Sequence, residues 1–164
     1  MLVTQQKVLR RFWYATVPVS RLQDGPQPFT LLNEKLVLFL DAEGQPAALA
    51  DRCCHRTAQL SKGCLADGLL VCGYHGWAYN RTGQCVRIPQ ADAQAIPAGA
   101  RVPAYRCAMH HGYAWVALED PLLSLPDIPE AHDPQFRRNR ERVARDAERE
   151  HLILEWDLVY EEEV

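Results

Sequence analysis

From Phe12 to Leu118 the chain runs as short apolar bursts cut by turn-forming residues. Phe12 to Val17 is aromatic and β-branched and stops at Pro18. Phe29–Leu32 and Leu36–Leu40 are apolar runs joined through Asn33-Glu34-Lys35, a hairpin signal. Asp41-Ala42-Glu43-Gly44 turns the chain into Ala47–Ala50, and Asp67-Gly68 precedes Leu69-Leu70-Val71. Asn80-Arg81-Thr82-Gly83 separates Trp77–Tyr79 from Cys85–Ile88, and Gly112 opens Tyr113–Leu118, which Asp120-Pro121 closes. Short strands punctuated by turns predict an antiparallel all-β domain over residues 1–121.

The pattern changes after that point. Leu122 to Pro134 is a linker punctuated by Pro126, Pro129 and Pro134. Phe136 to Glu150 is dense in Arg and Glu, with Val143, Ala147 and Leu154 at roughly helical spacing. Residues 122–164 are therefore expected to form a linker and a charged C-terminal tail, its helix either solvated or partner-binding.

Composition narrows the class. The 164 residues are 48% hydrophobic and 24% charged, which suits one globular domain with an appendage. A formal charge of −3 gives no sign of nucleic-acid binding, and no apolar run is long enough to span a membrane. Arg10-Arg11-Phe12 suggests a twin-arginine signal, but Trp13–Val19 is short, aromatic and broken by Pro18. A cytoplasmic protein is expected. Six cysteines could pair as disulfides, but two of them sit in a metal-ligand pattern.

That pattern is Cys53-Cys54-His55-Arg56, then Cys72-Gly73-Tyr74-His75-Gly76-Trp77, with sixteen residues between His55 and Cys72. Each segment offers one thiolate and one imidazole, as C-x-H and C-x-x-H. Mononuclear zinc sites favour C-x-x-C and H-x(3–5)-H groupings instead. One of each ligand per loop fits a cluster whose two irons differ, with Cys53 and Cys72 on one iron and His55 and His75 on the other. Gly63, Gly73 and Gly76 allow tight loops whose N–H groups approach the cluster. Cys54 does not keep the C-x-H spacing, and Cys64, Cys85 and Cys107 read as small buried hydrophobes. His110-His111 reads as an exposed turn.

The stretch Asp51-Arg52-Cys53-Cys54-His55-Arg56…Leu60-Ser61…Gly63…Asp67-Gly68…Cys72-Gly73-Tyr74-His75-Gly76-Trp77 resembles the Rieske [2Fe–2S] domain of aromatic-ring-hydroxylating and demethylating oxygenases. Phe12-Trp13-Tyr14 and Gly112–Val116 are similar to that family's opening and closing strands. The resemblance implies a Rieske-type antiparallel β-sandwich with a small cluster-binding subdomain, and it matches Cys53, His55, Cys72 and His75 to the cluster ligands. It implies one-electron transfer, from a reductase or ferredoxin to a non-haem Fe(II) that two His and a carboxylate hold in a larger C-terminal domain. It also implies a homotrimer and an aromatic substrate. No such iron-binding segment occurs before Val164, so the expectation is the Rieske portion of an oxygenase, unable to hydroxylate alone. Trp156 and Glu161–Glu163 weakly resemble the start of the catalytic segment, or form a fortuitous acidic terminus.

Departures from relatives of the resemblance carry consequences. Respiratory Rieske proteins have a disulfide between the ligand loops, but the equivalent positions here are Ala58 and Tyr74. They also place a serine where this chain has Trp77. Fewer donors to the cluster mean a low potential, roughly −150 mV rather than about +300 mV. Gly73 replaces the family's usual proline and should loosen the second loop. Trp77 and Arg56 are candidates for shielding the cluster or for docking a partner. Two other readings remain open, a self-standing Rieske ferredoxin and a structural zinc module.

Overall fold

Leu36-Val37-Leu38-Phe39 is apolar at every position, so a strand through it must bury both faces. The computed structural model, which describes residues 6–91 and 96–128, places this run one strand in from the edge of a six-stranded sheet, where it packs on both faces. Ten strands occur among the described residues: β1 (Tyr14–Pro18), β2 (Gln27–Leu31), β3 (Glu34–Leu40), β4 (Pro46–Ala50), β5 (Cys64–Ala66), β6 (Leu69–Val71), β7 (Ala78–Tyr79), β8 (Cys85–Arg87), β9 (Ala104–His110) and β10 (Tyr113–Ala117). The large sheet has the order β1-β10-β9-β4-β3-β2, the small one β5-β6-β7-β8, and all pairings are antiparallel.

The two faces of β3 feed two cores. Leu36 and Leu38 join Val17 of β1, Leu31 of β2, and Ala114 and Val116 of β10. Because β1 and β2 lie at opposite ends of the sheet, their shared core means the sheet folds over on itself. Val37 and Phe39, with Ala47 and Leu49 of β4, pack instead against Cys53, Leu60, Leu70, Cys72 and Tyr79. The small sheet and its loops therefore sit on one face of the large sheet, and the second core is their contact.

Turn chemistry sets the registers. Leu31 pairs with Glu34, so the β2–β3 turn is Leu32-Asn33, with φ +48° and +67°. This corrects the turn expected at Asn33–Lys35: both residues must be left-handed in a two-residue hairpin that matches strand twist, which draws Glu34 and Lys35 into the strand. His111-Gly112, with φ +48° and +80°, turns β9 into β10 in the same way. His110 and His111 are half-buried there, their rings 3.9 Å apart, rather than exposed. Phe12 and Trp13 precede β1, and a 3-10 turn (Lys7–Arg11) occupies the approach to it.

Ties between the sheets are polar and specific. Asp41 is 8% exposed; its Oδ1 accepts the N–H groups of Glu43 and Gln45, and Arg81 Nη1 lies 2.8 Å from its Oδ2. That pair joins the β3–β4 turn to the β7–β8 turn. A Cβ on Gly68 would fall 2.3 Å from Ala42 N, so the β5–β6 turn rests directly on the β3–β4 turn. The compact unit holding both sheets runs to Leu125, and Leu122 N–H donates to Arg11 O at 2.9 Å. The tail expected over 136–164 lies outside the described residues. Among the described residues no helix is long and apolar enough to cross a membrane.

Candidate metal centre

The two motif segments are loops built to one plan. The first connects β4 to β5, and the second is the connection between β6 and β7. Cys53 N–H donates to Ala58 O at 2.8 Å, and Thr57 N–H returns to Cys53 O at 2.9 Å. In the second loop, Cys72 N–H donates to Trp77 O at 2.9 Å, and Gly76 N–H returns to Cys72 O at 3.0 Å. Each cysteine thus closes a tight loop with the residues four and five positions on. The fourth position is left-handed in both, φ +58° at Thr57 and +71° at Gly76.

The loops touch. A Cβ on Gly63 would lie 2.0 Å from Val71 O, and one on Gly73 would lie 3.0 Å from Lys62 O. Only glycine at position 63 lets the end of the first loop run against the start of the second. Asp51 fixes the first loop at its root, with its carboxylate accepting both the N–H and the hydroxyl of Ser61.

This packing sorts the four donors by depth. Cys53 and Cys72 are each 2% exposed, whereas His55 is exposed and His75 half-buried. The His55 and His75 rings meet edge-on with centroids 4.7 Å apart. Trp77 lies flat on His55, at 4.6 Å and 1° between planes. Tyr74 is 62% exposed beside His75, and Arg56 is exposed next to His55. Partial loss of solvent, then the His75 and Arg56 charges, lower the His55 pKa and favour the neutral imidazole that a metal requires. Burial pushes the Cys72 thiol up, opposed by the backbone N–H groups of Tyr74 and His75. Those same N–H groups would donate to a metal-bound thiolate, so the donor set suits an iron–sulfur cluster. Among the described residues no three His, Cys, Asp or Glu side chains gather as they would around one ion. The arrangement is two thiols below and two imidazoles above.

Sequence reasoning passed over Tyr79. Its side chain is fully buried, with Oη 3.0 Å from Cys53 Sγ and 3.3 Å from Cys54 Sγ. Burial, then hydrogen bonding to the two cysteines, pushes its pKa well above the usual phenol value, so it stays a donor. The one signal available was a hydroxyl two residues beyond Trp77, on the inward face of a short strand. Cys85 is buried and Cys107 half-buried, but Cys64 is exposed, against expectation. It stands on β5, the edge strand of the small sheet, with its side chain outward. All six cysteines are free, so no disulfide framework exists.

The Rieske [2Fe-2S] domain profile matches residues 12–112, well over half of the chain. The chain belongs to the Rieske [2Fe-2S] domain family. It is 38% identical over 120 residues to a putative toluene-4-sulfonate monooxygenase iron-sulfur subunit of Comamonas testosteroni, covering 73% of this chain and 34% of that protein. It is 33% identical over 141 residues to the methylxanthine N1-demethylase of Pseudomonas putida, covering 81% and 40%. The crystal structure of that demethylase aligns with a TM-score of 0.74 over 80% of this chain and 42% of the other, at 33% identity. A dicamba monooxygenase structure aligns with a TM-score of 0.69 at 35% identity, over 77% and 41%. This Rieske chain therefore spans about a third to two-fifths of the length of these relatives. Its cofactor is a Rieske [2Fe–2S] cluster, and a related dicamba monooxygenase has also been solved with non-heme iron.

Proposed function

We propose that Cys53 and Cys72 hold one iron and His55 and His75 the other, and that the chain moves single electrons within a ring-hydroxylating or demethylating oxygenase. The observation that carries this reading is the sorting by depth: each loop sends its thiol inward and its imidazole toward the surface. A bound cluster supplies a one-electron couple at the low end of the Rieske range, roughly −150 mV. The protein does the rest. Cys53 and Cys72 exclude water from the inner side, Tyr79 and the Tyr74 and His75 N–H groups donate to the sulfurs, and Trp77 covers His55. His55 and His75 are left as the accessible edge through which an electron enters or leaves.

The partners proposed with this reading are those the family resemblance implies. A reductase or ferredoxin supplies the electron, and a catalytic domain with mononuclear iron receives it, in a homotrimer that acts on an aromatic compound. The named relatives act on toluenesulfonate, methylxanthine and dicamba, which supports an aromatic substrate class. We place the domain boundary at about residue 121, between the end of β10 at Ala117 and the end of the compact unit at Leu125. Six unpaired cysteines favour a reducing compartment such as the cytoplasm.

The test is low-temperature EPR of the anaerobically purified, dithionite-reduced chain. A rhombic signal with an average g of about 1.9, lost in a Cys53→Ser or Cys72→Ser variant, is the expected outcome for a centre with mixed His and Cys ligands. A colourless, silent sample containing zinc would replace electron transfer with a structural metal module.

A further inference from the structure

Tyr79 has one hydroxyl proton and two sulfur neighbours. Its Oη lies 3.0 Å from Cys53 Sγ on the buried side and 3.3 Å from Cys54 Sγ on the exposed side. A hydroxyl donates once and can accept twice, whereas a thiolate bound to iron carries no proton and can only accept. With Cys53 ligated, the Tyr79 proton is therefore directed to Cys53, which leaves the oxygen's lone pairs facing Cys54. Cys85, another thiol of this core, has its Sγ 3.6 Å from Arg87 O and is engaged there. Cys54 is not part of the C-x-H spacing, and its S–H is placed to donate to the Tyr79 oxygen.

We propose that Cys54 is a positioning residue that tunes the cluster through Tyr79, in the chain Cys54 S–H to Tyr79 O–H to Cys53 Sγ. The inference rests on Cys53 being a cluster ligand. Hydrogen bonds to a cluster sulfur stabilise the reduced, more negative state and so raise the potential. A donor placed behind the tyrosine polarises its O–H and strengthens that bond, since linked hydrogen bonds reinforce one another. A thiol is a weak donor, so the effect of Cys54 is smaller than that of Tyr79 itself. Cys54 has a second consequence: its thiol is the solvent-facing end of the chain, because its residue is exposed while Tyr79 is fully buried.

The experiment is a redox titration of the full chain, followed by EPR, for the native protein, Cys54→Ala, Cys54→Ser, Tyr79→Phe and the double variant. Cys54→Ala is expected to lower the potential by less than Tyr79→Phe does. Cys54→Ser, a better donor, is expected to hold or raise it. In the Tyr79→Phe background, Cys54→Ala should then change nothing. A potential that stays put or rises in Cys54→Ala overturns the relay, as does an equal drop with and without the Tyr79 hydroxyl. If Tyr79→Phe does not fold, the order Ala below native, and Ser at or above it, decides alone. Absence of a Rieske EPR signal in the native chain would instead overturn the ligand reading on which the relay depends.

Discussion

Both carboxylate oxygens of Asp51 are taken by Ser61: Oδ1 accepts the Ser61 N–H and Oδ2 the Ser61 hydroxyl, each at 2.7 Å. Asp51 is 6% exposed, so its carboxylate depends on these two bonds more than on solvent. The pair closes residues 51–61 into the loop that carries Cys53 and His55. Ser61→Ala leaves one buried oxygen unpaired and is expected to cost about 1–3 kcal/mol, read as a lower urea midpoint with the cluster retained. Asp51→Ala removes both ties and should lower iron content as well. Full iron occupancy in Asp51→Ala would show that the loop does not need its root.

Thr57 and Gly76 occupy equivalent places in the two loops, both left-handed, yet only one is glycine. A β-branched residue there is strained. Thr57→Gly should be neutral or stabilising by up to about 1 kcal/mol, since relief of strain is partly offset by the flexibility of glycine in the unfolded chain. Gly76→Thr should cost about 1–3 kcal/mol, because its Cβ would also lie 2.9 Å from Pro89 Cγ. Thermal unfolding of the two variants checks the opposite signs, and equal losses would contradict the account.

The indole of Trp77 covers one face of His55. Trp77→Ala opens that face to water and oxygen, and hydrophobic cover controls solvent access at metal centres. Visible absorbance should bleach in air several-fold faster than in the native protein, on the order of 3-fold to 10-fold, with the fresh EPR signal intact. An unchanged bleaching rate would assign Trp77 to partner docking rather than shielding.

Burial pushes the Cys107 thiol up to about 12. A raised thiol pKa means the reactive thiolate is absent below it, so Cys107 stays protonated throughout pH 7 to 9.5. Iodoacetamide labelling followed by mass spectrometry should mark exposed Cys64 and Cys54 and leave Cys107 unmarked over that range. Labelling of Cys107 that climbs already near pH 9 would show the thiol to be open to solvent.

The proposed ligand motif was readable because its spacing is local. C-x-H and C-x-x-H each set one thiol and one imidazole within a single short loop. The strong apolar bursts at Leu36–Leu40, Leu69–Val71 and Tyr113–Leu118 were readable for a related reason, since a half- or fully-buried strand writes its burial into each side chain. Strand β9 was not. Ala104–His110 is nowhere fully buried, so Arg106, Cys107, Ala108 and Met109 show no clean alternation, and pairing with β10 and β4 makes the strand. Strand β5 is three residues long and is held by β6 alone.

What the sequence determined by itself is the family, the paired Cys and His proposed as cluster ligands, and their place on turns between short strands. What the tertiary structure decided is how those turns meet. The approach of Gly63 to Val71, the reach of Tyr79 to Cys53 and the cover of Trp77 over His55 join residues from separate strands and loops. Such contacts depend on the fold of the large sheet and the seat of the small one upon it. Local spacing cannot encode them, because their distances are set by two packed cores rather than by the bonds between neighbouring residues.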